Sequence, residues 1–294
     1  MSILFWVFAI LSTFSFSLQW ALTAKYARVG DPLSIWMYRS LSLILTMLPL
    51  LFFSSFENIG KILLFQNYLI PAWFLAAIGV WLRYQSNLHL PVGLSNICTS
   101  VAGIFTAVIV GLLFFQESLS VLIIVCIIIT VLGWVIVSAS KTDFSHLDNI
   151  NFLRGILIAS LSGILGTGSV MLMVQVSREL DPFVAWYFWE VEIGIALVII
   201  ACVRHYFFNW VISKISRNWF YKILLASSPT LIGTWWLALA SIYWPVWILS
   251  VISVLGIVFS IILWIILFWE KLKLLQYIGI IIIIVWILWI KIFS

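Results

Sequence analysis

Charge is what this sequence has least of. Only 9% of its 294 residues are Asp, Glu, Lys or Arg, whereas a soluble domain needs roughly 25% to keep its surface in water. Fifteen Lys and Arg and ten Asp and Glu serve the whole chain, which excludes an ordinary soluble protein. Cysteine is nearly as scarce. Cys98, Cys126 and Cys202 all lie inside apolar runs, where they read as small core residues and not as a disulfide or metal framework. No Asn-x-Ser/Thr acceptor occurs, and His89, His146 and His205 stand apart from one another. With no metal-ligand spacing and no Ser/His/acid set, the chain reads as a non-enzyme without cofactor or metal. The net charge of +5 reflects loop placement and does not point to nucleic acid.

What is present is apolar. Hydrophobic residues make up 65% of the chain and the mean hydropathy is +1.22. The runs lack the alternation of an outer-membrane barrel strand, so the spans read as helices. Polar interruptions divide them into ten, at about 2–22, 32–54, 68–86, 92–115, 119–139, 153–174, 182–203, 221–242, 246–268 and 274–292. Helices of about 20 residues each leave no room for a soluble enzyme or ectodomain. The stretch from Ile3 to Trp20 has no basic lead-in and no small-residue cleavage site, so it reads as a retained first helix. The longest connections fall at 55–67, 140–152 and 204–220.

The two halves carry the same landmarks in the same order. Asp31-Pro32 with Trp36 recurs 150 residues later as Asp181-Pro182 with Trp186. Pro91-Val92 recurs after 154 as Pro245-Val246, and Phe115-Gln116-Glu117 recurs after 153 as Phe268-Trp269-Glu270. The pattern predicts two five-helix repeats, 1–140 and 153–294, joined by a loop at 141–152. An odd number of spans makes the second repeat enter from the opposite side, the inverted arrangement that puts a solute site at the midplane between repeats.

These motifs resemble the drug/metabolite transporter superfamily, in its ten-helix EamA-type branch. The resemblance rests on Asp31-Pro32 followed by Arg39-Ser40, on Pro91-Val92, and on Leu113-Phe114-Phe115-Gln116-Glu117-Ser118-Leu119, and it covers essentially the whole chain. Gln116 and Trp269 stand where that family often has Gly, and the second-to-third loop holds only Lys61. The resemblance implies a secondary transporter in a bacterial inner (plasma) membrane. Such a protein exports or exchanges small metabolites, amino acids foremost, by alternating access. The runner-up is a multidrug exporter of hydrophobic cations, and a membrane enzyme or scaffold comes last. The family would place both termini in the cytoplasm. The Lys/Arg bias of the loops would place them outside, and the family's orientation is followed here because homologous folds keep their insertion.

Ionisable residues at membrane depth ask for a function. Arg39 sits about seven residues into the second span, and Glu190 and Glu192 about eight and ten into the seventh, each near the midplane of a ~30 Å core. Two residues apart on a helix is about 200°, so the two glutamates face different ways. Three readings stay open. Arg39 and one Glu form a buried structural pair; Arg39 meets a substrate carboxylate or phosphate; or a Glu takes a proton or a cationic substrate. Gln19, Trp20, Tyr84, Asn87, Asn96, Thr99, Trp186 and Trp235 are further candidates for a cavity lining, Trp186 and Trp235 with Trp236 and Trp244 as an aromatic pocket. Arg83 has two readings, as a further cavity residue beside Tyr84 and Asn87 or as a side chain snorkelling from a helix end. Pro229 within Ser227-Ser228-Pro229-Thr230 reads as a kink, and Gly163, Gly166 and Gly168 as close helix packing.

Overall fold

The computed structural model describes residues 3–27, 31–90, 92–116, 149–243 and 255–268, with isolated helical positions at 121–136 and 274–285. These residues form helices α1 (Ile3–Ala27), α2 (Pro32–Met47), α3 (Phe56–Lys61), α4 (Gln66–His89) and α5 (Val92–Leu113). They continue as α6 (Asn149–Glu179), α7 (Pro182–Phe208), α8 (Arg217–Ser227), α9 (Pro229–Tyr243) and α10 (Leu255–Phe268). These labels number helices and not membrane crossings. Among the described residues there is no strand. Six segments of the described residues are long and apolar enough to cross a bilayer: Leu33–Phe53, Phe56–His89, Leu94–Leu113, Asn151–Glu179, Pro182–Phe208 and Arg217–Ser241. The described residues are all-helical, and their six apolar segments are those of a membrane protein. Leu45, Leu64, Ile109, Leu157 and Val198 are exposed on these helices, and lipid covers such side chains at no cost in apolar solvation. The fifth and tenth expected spans, and most of the 140–152 connection, fall largely outside the described residues.

Local chemistry explains where the helices begin and end. Asp31 and Asp181 each precede a proline at the first helical position. Both are N-caps: Asp31 Oδ2 accepts from the Ser34 amide at 2.8 Å, and Asp181 Oδ1 from Phe183 and Val184 at 2.9 and 3.0 Å. The caps satisfy amides that have no partner inside the helix, and proline's fixed φ suits the first position. Pro49 has no amide proton to continue α2, which tightens into 3₁₀ turns over Leu48–Phe53.

Several expected boundaries are corrected. Residues 55–67 are not a loop but contain α3, a 3₁₀ turn over Ile62–Phe65 and the start of α4. The 141–152 connection already turns helical at Asn149. Pro229 does more than kink a span: α8 stops at Ser227 and α9 starts at Pro229. The Ser227 and Ser228 hydroxyls donate to the carbonyls of Ile223 and Leu225 at 2.7 and 2.8 Å, occupying backbone acceptors around the break.

Helix α6 packs along α4 and α5, while α1 packs along α9 and α10, and α2 crosses α7. Among the described glycines the tightest is Gly163 of α6, where an added Cβ would lie 2.1 Å from the Thr99 carbonyl oxygen. Ser162 donates to the Gly79 carbonyl at 2.6 Å, locking α6 to α4, and Ser12 donates to the Gly233 carbonyl at 2.8 Å, locking α1 to α9. Helices α2 and α7 run antiparallel, since they are tied at both ends. Asp31, before α2, pairs with Arg204 near the end of α7 at 3.9 Å. Asp181, before α7, accepts from Ser54 Oγ at 2.8 Å and Asn58 Nδ2 at 3.3 Å, just beyond the end of α2.

Candidate functional site

Arg39 lies midway along α2 and is 3% exposed. Its Nη1 stands 3.8 Å from Glu190 Oε2 on α7, and its Nη2 donates to Gln19 Oε1 on α1 at 3.4 Å. Its guanidinium rests 3.9 Å from the Trp36 ring centroid and 5.5 Å from that of Trp20. These two indoles are near-parallel at 6.1 Å, and the fully buried Tyr84 ring of α4 leans on both, at 5.6 and 5.7 Å. A guanidinium over an indole face gains cation–π attraction, and more of it where water is excluded.

A second guanidinium joins this layer. Arg83, one position before Tyr84, lies 4.0 Å from the Trp20 ring centroid, and its Nε and Nη2 both donate to Asn96 Oδ1 on α5, at 3.2 and 2.7 Å. Snorkelling is therefore corrected: Arg83 turns inward, because a carbonyl and an indole face reward its planar fork more than the membrane rim does. The cluster brings together Arg39, Glu190, Gln19, Trp20, Tyr84 and Asn96, which sequence singled out. It takes in Arg83, in keeping with the cavity reading of that residue and not the snorkelling one, and it adds Trp36, which stood out only as a repeat landmark.

The cluster leaves hydrogen-bonding capacity unspent. A charge-assisted N–H···O bond runs about 2.7–2.9 Å, and the Arg39–Glu190 approach is longer. Among the described residues, Arg39 Nε and Nη1, Glu190 Oε2, Asn96 Nδ2, Ser40 Oγ and Trp36 Nε1 are buried without a hydrogen bond. Buried polar groups are almost always satisfied, so a layer with both donors and an acceptor to spare is suited to a small polar solute.

The other candidates lie elsewhere or serve packing. Asn87 is buried a turn beyond Arg83 and Tyr84, with Oδ1 unbonded. Thr99 donates to the carbonyls of Ser95 and Ala159 at 2.8 and 3.1 Å, holding α5 against α6. Trp186 is fully buried among Met171, Met173, Val184 and Ala238, edge-on to Trp189 at 5.0 Å. Trp235 is 36% exposed, stacked between Phe53 and Trp236 at 5.6 and 5.2 Å. Neither tryptophan faces the Arg39 layer, so the aromatic wall there is Trp20, Trp36 and Tyr84; Trp244 lies outside the described residues. Glu192 leaves α7 in another direction than Glu190 and accepts from Gln66 Nε2 on α4 at 3.2 Å.

No family model matches the chain, and no curated protein matches it. The chain is similar to a number of solved structures, among them a crystal structure described simply as that of a protein, with a TM-score of 0.64 and 13% identity. The similarity covers 95% of this chain and 94% of that one. At that identity the likeness concerns the fold alone.

Proposed function

We propose that this protein is a secondary transporter that exports or exchanges a small polar metabolite, an amino acid foremost, through the Arg39–Glu190 layer. The reading is carried by one observation: opposite charges with unspent hydrogen bonds face each other, buried, between two antiparallel helices tied at both ends. The same helices supply the geometry that alternating access needs, with a central site and one junction toward each face.

Two inverted five-helix repeats account for contacts that recur with the sequence's own offsets. The Ser162–Gly79 bond between α6 and α4 matches Ser12–Gly233 between α1 and α9, shifted by 150 and 154. Arg39 donating to Gln19 matches Trp189 donating to Ser169, both shifted by 150. Asp31 with Arg204 matches Asp181 with Ser54, again by 150. Contacts between different side chains at equivalent places are what a duplicated and diverged scaffold leaves behind. On this reading the expected ten spans, the bacterial inner membrane and cytoplasmic termini follow from the family resemblance.

Two guanidiniums against one carboxylate favour a solute that brings an anionic group, and they stand against a hydrophobic cation. The test is counterflow in proteoliposomes loaded with a panel of amino acids. Saturable exchange that Arg39→Ala or Glu190→Ala weakens supports the proposal. Flux that never saturates points to a channel, and no flux across amino acids, sugars, nucleotides and lipophilic cations points to an enzyme or scaffold.

A further inference from the structure

We propose that Glu192, with Gln66, forms a proton-binding site separate from the Arg39 layer, and that this carboxyl carries the coupling proton. Its coupling role rests on the transport reading above; its proton binding does not. Glu192 is 8% exposed. Among the described residues it makes one hydrogen bond, to the Gln66 side-chain amide at 3.2 Å, and no ion pair. Its Oε2 is buried with no hydrogen-bond partner.

The contrast with Glu190, two residues away, decides the assignment. Glu190 has a cation beside it, with Arg39 Nη1 at 3.8 Å. Glu192 has only a neutral amide, and a buried carboxylate without a cation costs several kcal/mol. The neutral acid removes that cost: Gln66 Nε2 donates to Oε1, and the proton sits on Oε2.

The surrounding charges are engaged elsewhere or lie apart. From α2 comes Arg39, held by Glu190. Helix α4 carries Tyr68, Arg83, Tyr84 and His89, of which Arg83 is held by Asn96. Helix α6 carries Arg154, Arg178 and Glu179 near its ends, and α7 itself carries Tyr187, Arg204, His205 and Tyr206. None of these bonds or ion-pairs with Glu192 among the described residues. A metal cation is a poorer occupant, because hard cations need a cage of oxygens and Gln66 presents a donor.

No bond beyond O–H is made or broken. The carboxylate takes a proton from the more acidic face when the site opens there. It gives the proton up to the other face when the site reopens.

Infrared difference spectra of the purified full-length protein across a pH titration test the site without any solute. A protonated-carboxyl C=O band in wild type that persists in Glu190→Gln and disappears in Glu192→Gln is expected. Gln66→Leu, which keeps the carboxyl, should shift that band without removing it, and serves if Glu192→Gln fails to fold. A band that survives Glu192→Gln, a band that Gln66→Leu leaves unmoved, or no band at all would overturn the proposal. So would a band abolished by sodium at constant pH, which would mark a cation site.

In wild-type proteoliposomes, counterflow of the amino-acid panel tests transport by itself, and accumulation driven by a pH gradient tests coupling. Counterflow without pH-driven accumulation removes the coupling role and leaves transport standing. The infrared band without counterflow removes transport and leaves the proton site.

Discussion

At the scale of the residue, Arg39 shows how a single charge is made tolerable at membrane depth. It is offset by Glu190, stacked on Trp36 and bonded to Gln19. Removing one partner strands the other, so Arg39→Ala should destabilise the protein by about 3–5 kcal/mol, measured by thermal unfolding in detergent. Adding Glu190→Gln should recover part of that loss. Arg39→Lys should stay folded yet lose affinity for anionic solutes, because an ammonium cannot reproduce the planar stack or the fork of donors. Wild-type stability and transport in all three variants would remove any coupling between the pair. Gln116 offers a test of the opposite sign. It holds φ at 52°, a left-handed conformation that costs a side chain about 1–2 kcal/mol. Gln116→Gly should raise the unfolding temperature, and an unchanged or lowered value would show that the side chain repays the strain.

At the scale of the element, the glycines of α6 divide sharply. A Cβ on Gly163 would meet the Thr99 carbonyl at 2.1 Å, whereas one on Gly166 meets nothing within 4 Å. Gly163→Ala should therefore force α6 off α5 and destabilise the protein, while Gly166→Ala should be neutral or better in the same unfolding assay. Equal effects would mean that the two helices do not approach as closely as described. The two N-caps differ in a similar way. Asp31→Ala and Asp181→Ala should each cost about 0.5–2 kcal/mol through the lost cap. Asp181→Ala should cost more, since it also deprives Ser54 and Asn58 of their acceptor, whereas Asp31→Ala gives up only the part-exposed ion pair with Arg204 at 3.9 Å.

At the scale of the molecule, packing is built on α6 against α4 and α5, α1 against α9 and α10, and α2 against α7 between them. A scaffold of this kind has one junction at each end of the central pair, and they are not alike. The Asp181 end is closed by neutral hydrogen bonds at 2.8 and 3.3 Å. The Asp31 end is closed by an ion pair at 3.9 Å, with Arg204 flanked by Trp210 at 5.2 Å and Trp81 at 6.0 Å. Salt screens the second and not the first. Raising ionic strength should make residues beside Asp31 more accessible to thiol reagents, as read on introduced cysteines, and leave those beside Asp181 unchanged. The expectation that both termini face the cytoplasm is checked by a C-terminal reporter, and activity confined to the periplasmic side would reverse it.

Sequence alone determined that this is a helical membrane protein, because so little charge admits no other surface. It also determined where α2 and α7 start, since an aspartate before a proline is a local signal that needs no tertiary partner. It picked out Arg39 and Glu190, because ionised groups at midplane depth are costly wherever they sit. Direction was another matter. Two glutamates two residues apart must diverge, but only the packing of α2 and α4 on α7 decided that Glu190 meets Arg39 and Glu192 meets Gln66. Arg83 had the reach to snorkel outward or to turn in, and the position of Trp20 and Asn96 decided it. Trp186 and Trp235 differ little in local context from Trp36, yet only Trp36 lies under the guanidinium. Local signals fix where a helix begins and how deep a charge lies; which neighbour a long side chain meets depends on helices distant in sequence.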